Sequence, residues 1–129
     1  MFERLDFVYL PSRDVAADVE HYENRLGAEL VFAIERFGTR VAMLRLSPDP
    51  PALLLAQHLE GDQPVLVHRV DDLERAIAEL ARNQVDVAER FEIPPGNGAM
   101  LQSPGPQRLA IYEVTRPDRL AGLTGRRDF

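Results

Sequence analysis

The groups in this chain able to move a proton or grip an ion are few: His21, His58 and His68, Tyr9, Tyr22 and Tyr112, and a scatter of carboxylates and arginines. There is no cysteine, which excludes disulfides, thiolate zinc sites and cysteine nucleophiles. The histidines show no His-x-His or His-x-x-x-His spacing, so no replacement zinc motif is present. No Gly-x-Ser-x-Gly elbow occurs, and Pro95-Gly96-Asn97-Gly98 follows a strand-like run and reads as a hairpin turn, not a phosphate loop. Asp71-Asp72 stands where a helix begins, which makes those carboxylates helix caps. His58 and Tyr112 are left as proton-transfer candidates, and Arg69 as a cation for a carboxylate or phosphate.

The elements that must carry these groups are legible from periodicity. Leu5 to Leu10 is rich in strand formers and is closed by Pro11. Asp14 then precedes Val15, Val19, Tyr22 and Leu26, one face of a helix, and Gly27 follows as its left-handed end. Three apolar runs come next: Leu30 to Glu35, Arg40 to Leu46 and Ala52 to His58. The second half repeats the order. Pro64 to Val70 reads as a strand, and Asp71 and Glu74 have capping-box spacing. Leu73, Ile77 and Leu80 mark a helix face, and Val85 to Ile93, Ala99 to Gln102 and Arg108 to Val114 read as strands. The halves match at an offset of about 57 residues, a duplicated βαβββ unit.

These stretches resemble the vicinal oxygen chelate superfamily, which includes glyoxalase I, bleomycin-resistance proteins, extradiol dioxygenases and methylmalonyl-CoA epimerase. The likeness rests on Leu10 to Asp14, Tyr22 to Val31, Val67 to Leu80, and Ser103-Pro104-Gly105 through Leu109-Ala110-Ile111-Tyr112-Glu113. It implies an α+β fold in which two tandem βαβββ modules form a curved mixed sheet around a cleft. One domain is expected over 1–129, with module one at 1–62, module two at 63–117 and a weakly patterned tail at 118–129. Asn83-Gln84 replaces the glycine usual after the second helix; Asn83 tolerates a left-handed conformation, so the turn survives.

The resemblance also implies where a divalent ion would be held, on the first and last strands of each module, usually by His and Glu. The corresponding positions are Phe7, Leu54, Val65 and Ala110. None has a lone pair to donate, so no metal and no other cofactor is expected. Moving the first strand by one residue would offer Asp6, but a slip turns every side chain to the other face.

Strand parity draws the wall of the implied cleft. Phe7 and Tyr9 fall on one face of the first strand, Leu54, Ala56 and His58 on the fourth, Val65, Val67 and Arg69 on the fifth, and Ala110 and Tyr112 on the last. An apolar wall with a few polar handles suits a small molecule. The expected ligand-binding residues are therefore Phe7, Tyr9, Leu54, His58, Val67, Arg69 and Tyr112. The same side chains could instead fill the cup as core, with Arg69 paired to a nearby carboxylate. Opposite parity sends His68 and Glu113 away from this wall, and His21 lies off its helix's apolar stripe.

Composition limits the partners. All 15 basic residues are Arg, against 21 acidic residues, for a net charge of −6. Through Asp62 there are 6 Arg against 11 Asp and Glu, and after it 9 against 10, with no basic stripe for nucleic acid. No run approaches the ~20 apolar residues of a membrane span. The start, Met1-Phe2-Glu3-Arg4, lacks the basic and apolar pattern of a secretory leader, so a cytoplasmic location is expected. A homodimer is expected, because sheet edges need cover and relatives with two modules pair about a two-fold axis. The reading is a metal-free, bleomycin-resistance-like protein that sequesters a small molecule. The alternative is a lyase, isomerase or dioxygenase of the same superfamily with an atypical or absent metal site.

Overall fold

A computed structural model describes all residues, Met1–Phe129. The chain is α+β, and its order is β1 (Phe2–Pro11), α1 (Val15–Leu26), β2 (Glu29–Arg36), β3 (Thr39–Arg45), β4 (Ala52–Ala56), β5 (Val65–Val70), α2 (Leu73–Arg82), β6 (Val87–Ile93), β7 (Gly96–Leu101), β8 (Arg108–Tyr112) and α3 (Pro117–Leu123). The βαβββ order occurs twice. The chain divides into two compact units, 7–64 with 123–129, and 1–6 with 65–122. The first strand is thus shared: its N-terminal half joins the later module.

In the unit of 7–64, the strands run β2-β3-β4-β1. The pair β1–β4 is parallel, with Tyr9 opposite Leu54, and the other pairs are antiparallel. Helix α1 forms because Asp14 caps it, accepting from the Ala17 N–H at 3.1 Å, and Gly27 ends it at φ 69°. Its Val15 and Val19 pack on Ala33, Ala42, Leu44 and Leu55, with Leu10 and Tyr22 at the margin. The tail continues this unit. Arg127 bridges to Ala33 on the outer strand β2, the Asp128 carboxylate accepts from the Glu35 N–H at 2.9 Å, and Arg40 lies 4.6 Å over the Phe129 ring. This cover shields a strand edge that would otherwise offer free backbone groups.

In the unit of 65–122, the strands run β1-β5-β8-β7-β6. Here β5–β8 is the parallel pair, with Val67 opposite Ala110 and Arg69 opposite Tyr112. Leu73, Ala76 and Leu80 of α2 pack on Val70, Ala99, Leu101 and Ile111. Two details correct the sequence reading of this helix. The cap is Asp72, accepting from the Arg75 N–H at 3.0 Å, while Asp71 pairs with Arg75 and Glu74 with Arg90. The left-handed residue at its end is Gln84, at φ 66°, because Asn83 is still the cap, at φ −92°.

The Gly96-Asn97-Gly98 stretch is strand β7 and not the turn, which falls on Pro94-Pro95. The glycines answer to crowding. A Cβ on Gly96 would sit 1.7 Å from the Glu113 carbonyl oxygen, and one on Gly98 would sit 2.5 Å from Phe91 Cζ. Both are sites of close backbone approach within a sheet.

Candidate functional site

The two parallel strand pairs set the faces on which the polar groups lie. On β4, Leu55 packs against α1, so Leu54 points the other way, together with its register partner Tyr9. On β8, Leu109 and Ile111 pack against α2, so Ala110 and Tyr112 point away from it, together with Val67 and Arg69. The alternation drawn from sequence therefore holds within each unit. Phe7, Tyr9, Leu54, Val65, Val67, Ala110 and Tyr112 are all buried.

In the unit of 7–64, the site residues form a short polar chain. The strand β4 ends at Ala56, two residues earlier than the sequence suggested, and His58 sits exposed in the following turn. It nevertheless reaches back to the strand face. The Tyr9 hydroxyl lies 3.1 Å from His58 Nε2, and the Thr39 hydroxyl 3.2 Å from Nδ1. A hydroxyl both donates and accepts. Each nitrogen of His58 thus keeps its partner whether the ring is neutral or protonated. Burial pushes the Tyr9 phenol up to about 12, so Tyr9 is a proton donor at neutral pH. Thr39 was not singled out from sequence; it opens β3 after the Phe37-Gly38 turn, and only the hairpin geometry brings it to His58.

In the unit of 65–122, the centre is a residue that parity set aside. Asp6 is only 5% exposed, and three side chains converge on it. Tyr112 donates its hydroxyl hydrogen to Oδ2, Arg69 donates from Nε to Oδ2 at 2.8 Å, and Arg4 donates from Nε to Oδ1. Strict alternation would place Asp6 with Phe2, and Phe2 stacks edge-on with His68, on the opposite side of β5 from Arg69. Asp6 nevertheless bonds Arg69 and Tyr112. Burial pushes the Asp6 carboxyl up, but the hydrogen bonds from Tyr112 and Arg4 and the charge of Arg69 together outweigh it and hold the group below the usual carboxylate range. Burial, together with the bond to Asp6, pushes the Tyr112 phenol well up.

The remaining candidates lie apart from these groups. His68 packs against Phe2, at 5.6 Å between ring centroids, and His21 lies beside Tyr22 at 5.7 Å. The Glu113 carboxylate leaves the Tyr112 face and accepts from the Leu73 N–H at 2.8 Å, at the start of α2.

The positions that the resemblance implies for a metal are Phe7, Leu54, Val65 and Ala110, whose hydrocarbon side chains offer no ligand to an ion. No three His, Asp or Glu side chains converge as a metal-holding group. The residues at those four positions do not fit the metal that the resemblance implies.

No family model and no curated protein matches the chain. Solved structures do. Methylmalonyl-CoA epimerase from Mycobacterium tuberculosis superposes with a TM-score of 0.74 at 20% identity, over 94% of this chain and 93% of that one. The Streptomyces coelicolor methylmalonyl-CoA epimerase S115T variant, in complex with 2-nitronate-propionyl-CoA, gives a TM-score of 0.66 at 18% identity, over 89% and 96%. The V278E mutant of glyoxalase I from Zea mays gives 0.65 at 18% identity, over 88% of this chain and 44% of that one. Both kinds of neighbour are vicinal oxygen chelate proteins. The chain has the fold of that superfamily, and the neighbours are enzymes. No helix is long and apolar enough to cross a membrane.

Proposed function

We propose that this protein is an enzyme acting on a small carbonyl compound, of the isomerase or lyase type, which moves a proton without the superfamily's usual metal set. The observation that carries the reading is the Tyr9–His58–Thr39 chain, in which a buried phenol meets an exposed imidazole at 3.1 Å. The fold neighbours support it, since they include epimerases that act on an acyl-CoA.

In the proposed reaction, neutral His58 takes the proton from a carbon next to the substrate carbonyl. Tyr9 donates a hydrogen bond, or its proton, to the oxygen that gains negative charge. A phenol held near 12 is a poor acid towards water but a well-matched donor to an enolate. Returning the proton from His58 to the same carbon gives exchange with solvent; returning it to a neighbouring atom isomerises. Within the same unit, Phe7 and Leu54 would supply apolar surface beside Tyr9. Turnover of a panel of acyl-CoA thioesters, methylglyoxal–thiol adducts and catechols tests the reading. Activity that is lost in His58→Ala with the fold retained supports it; activity that survives the substitution removes His58 from the mechanism.

A second reading, sequestration of an unmodified ligand, is favoured by one observation: four apolar residues stand where the metal ligands would be. It predicts a saturable thermal shift with a ligand that leaves the protein chemically unchanged. Under either reading we propose a homodimer in the cytoplasm. Light scattering at micromolar concentration gives twice 14.5 kDa for the dimer and 14.5 kDa for a monomer.

A further inference from the structure

Arg4 and Arg69 are held in the same manner by the same carboxylate. Each spends its Nε–H on Asp6, Arg4 on Oδ1 and Arg69 on Oδ2. A guanidinium has five N–H donors in a rigid fork; the bond through Nε orients the group, and although Arg69 also bonds the Tyr112 hydroxyl, each arginine keeps further N–H donors. The side chain of Arg4 is 54% exposed and that of Arg69 35%, while that of Asp6 is 4% exposed. The anchor is inside and the two cations open to solvent. Two positive charges against one negative leave the cluster net positive, in a chain whose net charge is −6.

We infer that Arg4 and Arg69 form an oxyanion-binding site, positioned by Asp6, for the carboxylate or phosphoryl group of a small molecule. Paired donors in a fork match the two oxygens of such a group better than a point charge does. Tyr112 contributes to the positioning: its hydroxyl lies on the same Oδ2 as Arg69 and stops the carboxylate from turning. An unanchored arginine would lose rotamer freedom on binding; these two have lost it already. The site stands on its own geometry and does not require the proton-transfer reading.

The test is calorimetric titration of the full chain at low salt with malonate and with inorganic phosphate, and with chloride as control. Saturable binding of malonate or phosphate, but not chloride, is expected, and the tighter of the two identifies the group recognised. Arg4→Ala and Arg69→Lys should each weaken it roughly tenfold to a hundredfold. Lysine keeps the charge and loses the fork, so its failure separates geometry from charge. Asp6→Asn is the sharpest variant. It removes a negative charge, so simple attraction predicts tighter binding, whereas loss of the anchor predicts weaker binding. Absence of saturable binding in the native protein overturns the site. So does binding that Arg4→Ala and Arg69→Lys leave unchanged, or binding that Asp6→Asn strengthens. If Asp6→Asn fails to fold, Arg4→Ala, on an exposed side chain, still decides the matter.

Discussion

Tyr112 and Asp6 lie 106 residues apart in sequence, and the phenol of the first donates its hydrogen to the carboxylate of the second. The bond ties the first strand of the chain to the last strand of the later module. Both groups are buried, where an unpaired polar group is expensive. Replacing Asp6 by Ala strands the Tyr112 hydroxyl and frees Arg69 and Arg4 to solvent. Because the arginines are partly exposed, water relieves them, and the loss falls mainly on Tyr112 and the vacated space. Chemical denaturation is expected to show a loss of about 3 kcal/mol.

The same group makes stability depend on acid. The Asp6 carboxyl is held below its ordinary range in the folded chain, so the unfolded chain binds the proton first as pH falls. The contribution is complete above the unfolded value of about 4. It is lost as pH drops through the lower folded value. Melting temperatures of the native protein and of Asp6→Asn, measured from neutral pH downwards, are therefore expected to converge in acid. A gap that stays constant down to the acid limit would show that ionisation of Asp6 does not contribute.

Gly96→Ala tests the packing of β7. The added methyl carbon would lie 1.7 Å from the Glu113 carbonyl oxygen, which belongs to backbone and cannot swing aside. A destabilisation of about 2 kcal/mol or more is expected, read by urea denaturation. Gly122→Ala is the control, since nothing lies within 4 Å of its added carbon.

Most of the fold was legible because it rests on local rules. Asp14 before an apolar stripe and Gly27 after it bound α1 as capping requires, and the turn residues separated the strands in the right order. Parity placed Tyr9 beside Leu54 and Arg69 beside Tyr112, because parallel partners share a face. The rules failed where a tertiary contact decided. Alternation sets Asp6 aside, yet the folded chain brings it to Arg69 and Tyr112, a contact that spacing along the sequence does not disclose. Gly96 and Gly98 looked like turn residues, when a neighbouring carbonyl and an aromatic ring were the reason for them. The tail from Gly125 to Phe129 had no periodicity to read, since its order comes from pairing with β2 and from Arg40 over Phe129. Thr39 is an ordinary strand residue until the β2–β3 hairpin carries it to His58.

The central claim is that His58, backed by Tyr9, exchanges a proton with a carbon acid. Deuterium uptake in D₂O, followed by proton NMR on acyl-CoA thioesters and small 2-oxo compounds, tests it without needing to know the final product. The native protein is expected to exchange the proton next to the carbonyl of at least one compound well above the buffer rate. His58→Ala is expected to slow that exchange by roughly a hundredfold to ten-thousandfold, as removal of a general base does, with an unchanged melting profile. Exchange at the buffer rate for every compound, together with saturable binding of one of them, would contradict the account and leave sequestration as the function.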